Sequence, residues 1–228
     1  ATARGQYGCC IWLSKTIPFD QQGRQCFEKH HITALAWQPR YLLANITTPC
    51  FTVDVLVLHA PHSGWGKEYL KDFWQGLHGV LDARNRPKSL LLLADANAKL
   101  GSMLSPVVGP LDPEVQCLAG SFFHQFLIEY DVLLPSTFAD LHSGPTKTWT
   151  APPREGVPST CRRIDYVGVP KEWRPAVRHS WVERQVDLLL SRDDHFPAAV
   201  SLSLTNDADC SGSIAHSGMR RQYDISAL

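Results

Sequence analysis

The sequence lacks an excess of either charge, because its 22 Lys and Arg residues balance its 22 Asp and Glu residues over a length of 228. A chain without net charge has no long-range field that draws in nucleic acid or a membrane surface, so any contact with a polyanion must be local. The sequence also lacks a long apolar run, since no stretch approaches the roughly 20 residues that span a bilayer. These absences exclude a membrane-spanning helix and weigh against a dedicated nucleic-acid-binding domain.

Cysteine occurs seven times, an odd number, and no Cys-x-x-Cys pair is present. A disulfide framework and a structural zinc site are therefore not indicated. This usage favours a reducing, intracellular location in the nucleus or the cytoplasm. What the sequence does have is 44% hydrophobic residues, which at this length suffices for one domain with a large core.

Apolar patterning predicts a series of strands interrupted by two helices. Alternating or continuous apolar runs predict the strands, which are Tyr7–Leu13, Ile32–Trp37, Tyr41–Thr47, Phe51–His59, Ser89–Ala94, Thr146–Thr150, Arg163–Val169 and Pro197–Leu204. Helical spacing predicts helices over Trp65–Arg84 and Glu114–Tyr130, and Pro175–Val186 is either a strand or an ordered loop. Polar composition predicts a tail or linker over 205–228, which leaves 1–204 as the domain.

Long strands, two crossover helices and an antiparallel finish predict an α/β fold. In such a fold two β-sheets pack face to face as a sandwich, and helices cover the outside, which gives four layers in the order α/β/β/α. This architecture displays its chemistry at strand ends, so polar residues at the ends of the predicted strands are candidate site residues.

Asp95 and Asn97 follow directly after a predicted buried strand. Alternation along an extended chain points both side chains to the same side, about 7 Å apart. A carboxylate there can orient or deprotonate a water molecule, while the amide fixes that water or a phosphate oxygen. The alternative is an Asx turn that closes the strand, which Asp and Asn form routinely.

Asp165 lies within another apolar strand, where a buried carboxylate needs a partner because an unpaired charge is costly. An Asp–His pair with His195 satisfies this need, and a salt bridge to Arg162 or Arg163 is the alternative. Asp194 precedes His195, and a carboxylate beside an imidazole can bind a divalent cation while the imidazole contacts phosphate. A charged turn is the alternative explanation for this last pair.

His59 ends a third strand, and a histidine pKa near neutrality suits it to protonate a leaving oxygen. His62 lies three residues further on, where it either substitutes for His59 or is simply solvated. A lone histidine is more often structural, so His59 gains weight only in combination with the other segments.

In combination, these segments resemble the signature of the endonuclease/exonuclease/phosphatase family, the DNase I-like proteins. The family ends a buried strand in Asp-x-Asn, as Asp95 and Asn97 do, and it carries an Arg-Ile-Asp-Tyr-Val strand, which Arg163–Val167 matches. It closes on Ser-Asp-His-x-Pro, and the chain matches the last part with Asp194, His195 and Pro197, while Asp193 replaces the usual Ser.

Two further segments extend the resemblance over roughly Tyr7 to Leu204. Thr148-Trp149-Thr150 resembles the Thr-Trp strand that precedes the Arg-Ile-Asp-Tyr segment. His59 stands where the pancreatic-type deoxyribonucleases also carry histidine. Within the family, the chain is most similar to retrotransposon endonucleases.

The resemblance implies a DNase I-like fold and a phosphodiesterase dependent on Mg²⁺ or Mn²⁺, in which water attacks phosphorus in line. The implied metal ligand is Asp194, and the implied catalytic residues are His59, Asp95, Asn97, Asp165 and His195. The implied substrate is DNA, and the implied source is a retroelement polyprotein in which a reverse transcriptase follows.

One departure from the family lies at the start of the chain. Members place an Asn on their first strand and a metal-binding Glu on their second, both upstream of the segment that Tyr7–Leu13 resembles. We therefore expect a domain that is N-terminally incomplete and lacks the first strands, binds its metal weakly and has reduced activity. Two alternatives are a non-catalytic remnant domain and a phosphoesterase that acts on a lipid or inositol phosphate.

Overall fold

The computed structural model describes residues 8–20, 22–84, 89–152, 156, 158–185 and 194–204. Tyr7, Asp193 and the predicted tail over 205–228 lie outside these ranges. Within them, no helix combines the length and the apolar character needed to cross a membrane.

The described residues form ten strands and two α-helices. In chain order these are β1 (Ile32–Gln38), β2 (Tyr41–Thr47), β3 (Thr52–His59), α1 (Lys67–Asp82), β4 (Leu90–Asp95), α2 (Leu118–Glu129), β5 (Val132–Leu133), β6 (Trp149–Thr150), β7 (Cys161–Arg162), β8 (Asp165–Pro170), β9 (Val177–Val182) and β10 (Ala198–Leu202). The predicted strands over Ile32–Trp37, Tyr41–Thr47, Phe51–His59 and Ser89–Ala94 are confirmed to within one residue at each end.

Six of the strands form a central sheet in the order β1-β2-β3-β4-β8-β5. β3 and β4 are parallel, and the other neighbouring pairs are antiparallel. A parallel pair needs a crossover connection, and α1 provides it between β3 and β4. The pairs β9–β10 and β6–β7 form two further small sheets. The predicted α/β class, with a central sheet, further sheets and flanking helices, is confirmed.

Alternation along β3, β4 and β8 gives the central sheet two different faces. On the helix-covered face, Leu56, Leu92 and Tyr166 are at most 1% exposed and share a core with side chains of α1 and α2. On the other face, Val57, Leu93 and Val167 are only partly buried and line an open cleft. We call this second surface the cleft face.

Helix α1 packs through residues spaced by four, three and four positions. Leu70, Trp74, Leu77 and Leu81 are each at most 2% exposed, which is the stripe that a helix presents to a core. The helix is shorter than predicted, because Ser63–Trp65 form a separate 3₁₀ turn. Gly66 follows that turn with φ +84°, a conformation that favours glycine.

Helix α2 begins four residues later than predicted. Glu114 is extended, since its N–H donates to the Leu100 carbonyl, and Val115 is 79% exposed instead of facing the core. Cys117 caps the helix, because its Sγ accepts the Gly120 N–H. The apolar spacing extends upstream of the residue where the helix begins. Local hydrogen bonds, rather than this spacing, determine the start of the helix.

The strand predicted over Tyr7–Leu13 is wrong for its described part, because Gly8–Leu13 pair with no strand. Ile11 and Leu13 instead pack onto a small cluster with Val53 and Val55, while Trp12 is 89% exposed. An extended segment lying on a sheet face shows the same alternation as a strand inside a sheet.

The later part of the chain contains both shorter and additional strands. The strand predicted over Thr146–Thr150 is reduced to β6, and the ambiguous Pro175–Val186 region contains β9. The short strands β5 and β7 were not predicted, because two residues are too few to show a period.

Candidate active site

Three neighbouring strands of the central sheet place titratable residues in one row. In the parallel register of β3 and β4, His59 pairs with Asp95. In the antiparallel register of β4 and β8, Asp95 pairs with Asp165. Paired positions on adjacent strands project to the same side of a sheet, so the three side chains lie together on the cleft face.

His195 joins this row from the segment before β10. Its Nδ1 lies 3.1 Å from Oδ2 and 3.2 Å from Oδ1 of Asp165. The hydrogen bond to Asp165 raises the pKa of His195 and outweighs burial, which acts in the opposite direction. The imidazole is therefore held in place, and its positive form is stabilised by the carboxylate.

The two arginines that could have paired with Asp165 have other partners. Arg163 is 1% exposed, and its guanidinium donates to the carbonyls of Leu111, Asp112 and Ser136. Arg162 lies 3.6 Å from Glu114. The structure thus shows Asp165 paired with His195 rather than with Arg162 or Arg163.

Thr148 holds the two halves of this pair together. Its hydroxyl accepts the backbone N–H groups of Ile164 and Asp165, and its carbonyl accepts the N–H of Phe196. Thr148 is 1% exposed, so these bonds are protected from water. Sequence reasoning gave Thr148 no role, although its place in the Thr-Trp motif was a signal.

Asp95 has a strongly perturbed acidity. Burial raises its pKa to about 6, and the negative charge of Asp165 adds to this effect. A carboxyl group whose pKa lies close to neutrality can exchange a proton with water or substrate. Perturbed carboxyl groups of this kind cluster at functional sites.

His59 lies at the end of the row beside Asp95, with 3.7 Å between its Nε2 and Asp95 Oδ2. Burial lowers the pKa of His59, and the positive charge of Arg40 lowers it further. Arg40 donates from Nη1 to the His59 carbonyl at 3.2 Å. Arg40 lies in the β1–β2 turn, and nothing in the sequence pattern indicated its proximity to the site.

Asn97 is near the row, and its contacts are local. Its backbone N–H donates to Asp95 Oδ1 at 3.2 Å, which is the contact of an Asx turn. Its side-chain Nδ2 donates to the Ala60 carbonyl at 3.0 Å, and its φ is +46°. The turn alternative is thus present, and a role of Asn97 at the site stays a prediction.

The donor atoms of Asp95, Asp165 and His195 lie within 4.8 Å of one another. Two carboxylates and one imidazole are ligands that suit a divalent cation, so these residues fit the metal that the resemblance implies. Asp194 lies outside this group. It contributes a negative charge that helps raise the pKa of His195, and its carbonyl accepts the Thr150 N–H.

The row opens into a cleft of about 490 Å³. Val57, Leu93 and Val167 form part of its wall, together with Pro197, and Gly8–Cys9 lie at its edge. A second depression of about 590 Å³ adjoins it around Trp37 and Tyr41. The titratable group lies in the first of these two spaces, and we therefore take that cleft as the candidate active site.

Solved structures with the same fold place this geometry in context. The endonuclease domain of TRAS1, a telomere-specific non-LTR retrotransposon, is 15% identical with a TM-score of 0.52, over 79% of this chain and 73% of that one. A 3′-5′ exonuclease from Neisseria meningitidis is 19% identical with a TM-score of 0.50, over 72% of this chain and 65% of that one. No family model and no curated protein sequence matches the chain.

These likenesses define the class of the fold. It is the DNase I-like fold of the endonuclease/exonuclease/phosphatase proteins, as the sequence motifs predicted. The chain spans about two thirds of the Neisseria exonuclease.

Proposed function

We propose that this chain is a metal-assisted phosphoesterase whose substrate is DNA. The observation that carries the proposal is the group formed by Asp95, Asp165 and His195 in the cleft, where the three donor atoms lie within 4.8 Å. A partly buried group of two carboxylates and an imidazole is costly unless each charge is compensated. A protein can retain groups with this free-energy cost where their charges act on a substrate.

In the proposed reaction, Asp95 orients a water molecule and accepts its proton as the water oxygen attacks phosphorus. Its raised pKa makes the carboxylate a stronger base than an ordinary Asp. The bond from phosphorus to the leaving oxygen breaks on the opposite side. His195, held by Asp165, stabilises the charge that develops on the phosphate oxygens.

His59 donates a hydrogen bond to the leaving oxygen, and that oxygen takes its proton from solvent. Its lowered pKa favours the neutral imidazole, which still has one N–H to donate. Asn97, fixed by Ala60, positions the attacking water or a phosphate oxygen. These two roles complete the set that the sequence motifs implied.

The carboxylates of Asp95 and Asp165 would hold a divalent cation, which would neutralise charge on the phosphate and the leaving oxygen, while His195 stays a hydrogen-bond donor to the phosphate. Asp194, which stands beside His195 in the chain, would add negative charge around that cation. Mg²⁺ and Mn²⁺ both accept carboxylate ligands. The likeness to the TRAS1 endonuclease supports DNA as the substrate and a retroelement origin.

A plasmid-nicking assay at millimolar Mg²⁺ or Mn²⁺ tests the proposal. His195→Ala and Asp95→Ala should each lower the rate by at least about 100-fold, the usual contribution of a positioned acid–base group. His30→Ala and Asp140→Asn are matched controls, because His30 is exposed and Asp140 forms a surface ion pair with Arg174. Both controls should keep the wild-type rate.

Two results would contradict the proposal. One is the absence of nicking with both Mg²⁺ and Mn²⁺, which favours a non-catalytic domain. The other is nicking that survives in both site variants, which would place the chemistry elsewhere or assign it to a contaminant. Parallel assays on sphingomyelin and inositol phosphates test the substrate class.

A further inference from the structure

Two exposed aromatic side chains are stacked at the start of α1. The rings of Trp65 and Tyr69 are 4.8 Å apart between centroids with an interplanar angle of 24°. Trp65 is 43% exposed and Tyr69 is 40% exposed. Aromatic rings of this size are normally buried because their apolar area is large, so an exposed stacked pair needs a reason.

The stack is fixed to the protein by polar contacts on its N-terminal side. His62 Nδ1 accepts the N–H of Gly64 at 3.1 Å, and Ser63 Oγ accepts the N–H of Ala119 from α2 at 3.2 Å. Trp65 ends this anchored turn, and Tyr69 lies one helical turn further on in α1. The rings are thus preorganised on ordered backbone.

Arg40 links the stack to the row of titratable residues. Its guanidinium carbon lies 5.3 Å from the centroid of Trp65, while its Nη1 donates to the His59 carbonyl. One side chain therefore reaches from the aromatic stack to the site. Arg40 is 8% exposed because it packs against the indole. Its positive charge acts on His59, near the place where a phosphate would bind.

This combination matches the chemistry of a nucleotide. Flat rings stack on nucleobases without regard to sequence, and nearby cations attract the backbone phosphates. A lipid or inositol phosphate has the phosphate but no planar base. A paired base is already stacked within its duplex, whereas an unpaired base is free to stack on protein.

We propose that an unpaired nucleobase stacks on the exposed side of the Trp65–Tyr69 pair, next to the phosphate that the cleft receives. This inference rests on the proposed function and narrows its substrate to nucleic acid with an exposed base. It also predicts that the chain distinguishes a base-bearing strand from an abasic strand with the same phosphates.

Binding without catalysis tests this inference separately from hydrolysis. The full chain in EDTA is titrated with fluorescently labelled oligothymidylate and with an abasic deoxyribose-phosphate strand of the same length, and anisotropy is measured. The wild type should bind oligothymidylate more tightly, by roughly 10-fold for a stacked base. Trp65→Ala and Tyr69→Leu should remove this difference and leave abasic binding unchanged.

Three controls separate stacking from damage to the fold. Trp65→Phe keeps an aromatic ring and should retain most of the preference. Trp12→Ala removes an indole that is 89% exposed on a segment packed near Val53 and Val55, and it should change nothing. Tyr69→Leu keeps apolar volume on the helix surface, so its melting temperature should equal that of the wild type.

The outcomes distinguish this inference from the proposed function. Equal binding of both strands by the wild type, or an unchanged preference in Trp65→Ala and Tyr69→Leu, overturns the stacking site, even if bis(p-nitrophenyl) phosphate is hydrolysed. A preference lost in both variants supports it, even if no diester is cleaved. Binding to sphingomyelin vesicles that disappears in Trp65→Ala, without an effect on oligothymidylate, assigns the stack to a lipid surface and overturns it.

Discussion

The two faces of the central sheet differ although the same strands form them. On the helix-covered face, Leu56 and Leu92 are 0% exposed and surrounded by apolar neighbours from α1 and α2. On the cleft face, their chain neighbours Val57 and Leu93 stay partly open. The row of His59, Asp95 and Asp165 continues the cleft face, not the packed one.

This difference shows how a strand can serve stability and chemistry at once. Because side chains alternate, one face can be filled by helices while the other keeps room for a substrate and for charges. Apolar packing holds the first face. Around the second, a smaller apolar cluster with Val53 and Val55 is supplemented by hydrogen bonds through Thr148, Arg40 and Arg163. Substitutions on the two faces should therefore have different consequences.

The largest expected effect comes from neighbouring leucines on opposite faces. Leu92→Ala should lower the free energy of unfolding by about 2–5 kcal/mol, the cost of a cavity in a packed core. Leu93→Ala should cost about half as much or less, because less apolar area is buried there. Urea unfolding measures the free energy of unfolding of both variants. Equal losses of stability would contradict the difference between the two faces.

A smaller effect on stability is expected where hydrogen bonds supplement packing. Thr148→Val keeps the shape but loses the hydroxyl that accepts two backbone N–H groups, at a cost of about 1–3 kcal/mol. Thr150→Val is the matched control, since the hydroxyl of Thr150 makes an exposed contact with Cys161. A loss in Thr148→Val no greater than in the control would show that packing alone holds the cleft side.

The smallest effect should appear in the pH dependence of stability, with opposite signs on the two sides. On α2, burial lowers the pKa of His124, so its stabilising contribution is present above the unfolded pKa of about 6.5 and is lost as pH falls below it. In the cleft, Asp165 raises the pKa of His195. That contribution is present below about pH 6.5 and is lost as pH rises through the higher folded pKa.

Unfolding of the metal-free protein in EDTA from pH 5 to pH 8 checks these signs. His195→Ala should lose more stability at the acidic end than at the alkaline end. His124→Gln should lose less stability than the wild type as pH falls. The same sign in both variants would contradict the different environments assigned to the two histidines.

Much of the fold was predictable because its strands carry strong local patterns. Tyr41–Thr47 has the predicted bounds, and Phe51–His59 differs by one residue, since each run is bounded by turn residues. The predictions of a strand over Tyr7–Leu13 and of the start of α2 were wrong for the opposite reason. There, the apolar period continued through segments whose hydrogen bonds lead elsewhere.

The residues that meet at the candidate site could be named from the sequence but their contacts could not, and the roles of these residues stay predictions. Strand-end positions and the family resemblance identified His59, Asp95, Asp165 and His195, because each follows or precedes an apolar run. The guanidinium of Arg40 and the hydroxyl of Thr148 act across the fold, and no local pattern records such long-range contacts. For Asn97 the Asx turn is present, and its role at the site stays a prediction.

The most direct test of the central claim asks on which face of the central sheet a divalent cation binds. In an NMR titration with Mn²⁺, paramagnetic broadening should begin at the amides of His59, Asp95, Asp165 and His195. Signals from Leu70 and Leu77 in α1 should broaden later in the titration and less, and Asp95→Asn with Asp165→Asn should abolish the broadening. Broadening centred elsewhere, or none at millimolar Mn²⁺, would contradict a hydrolytic site on the cleft face.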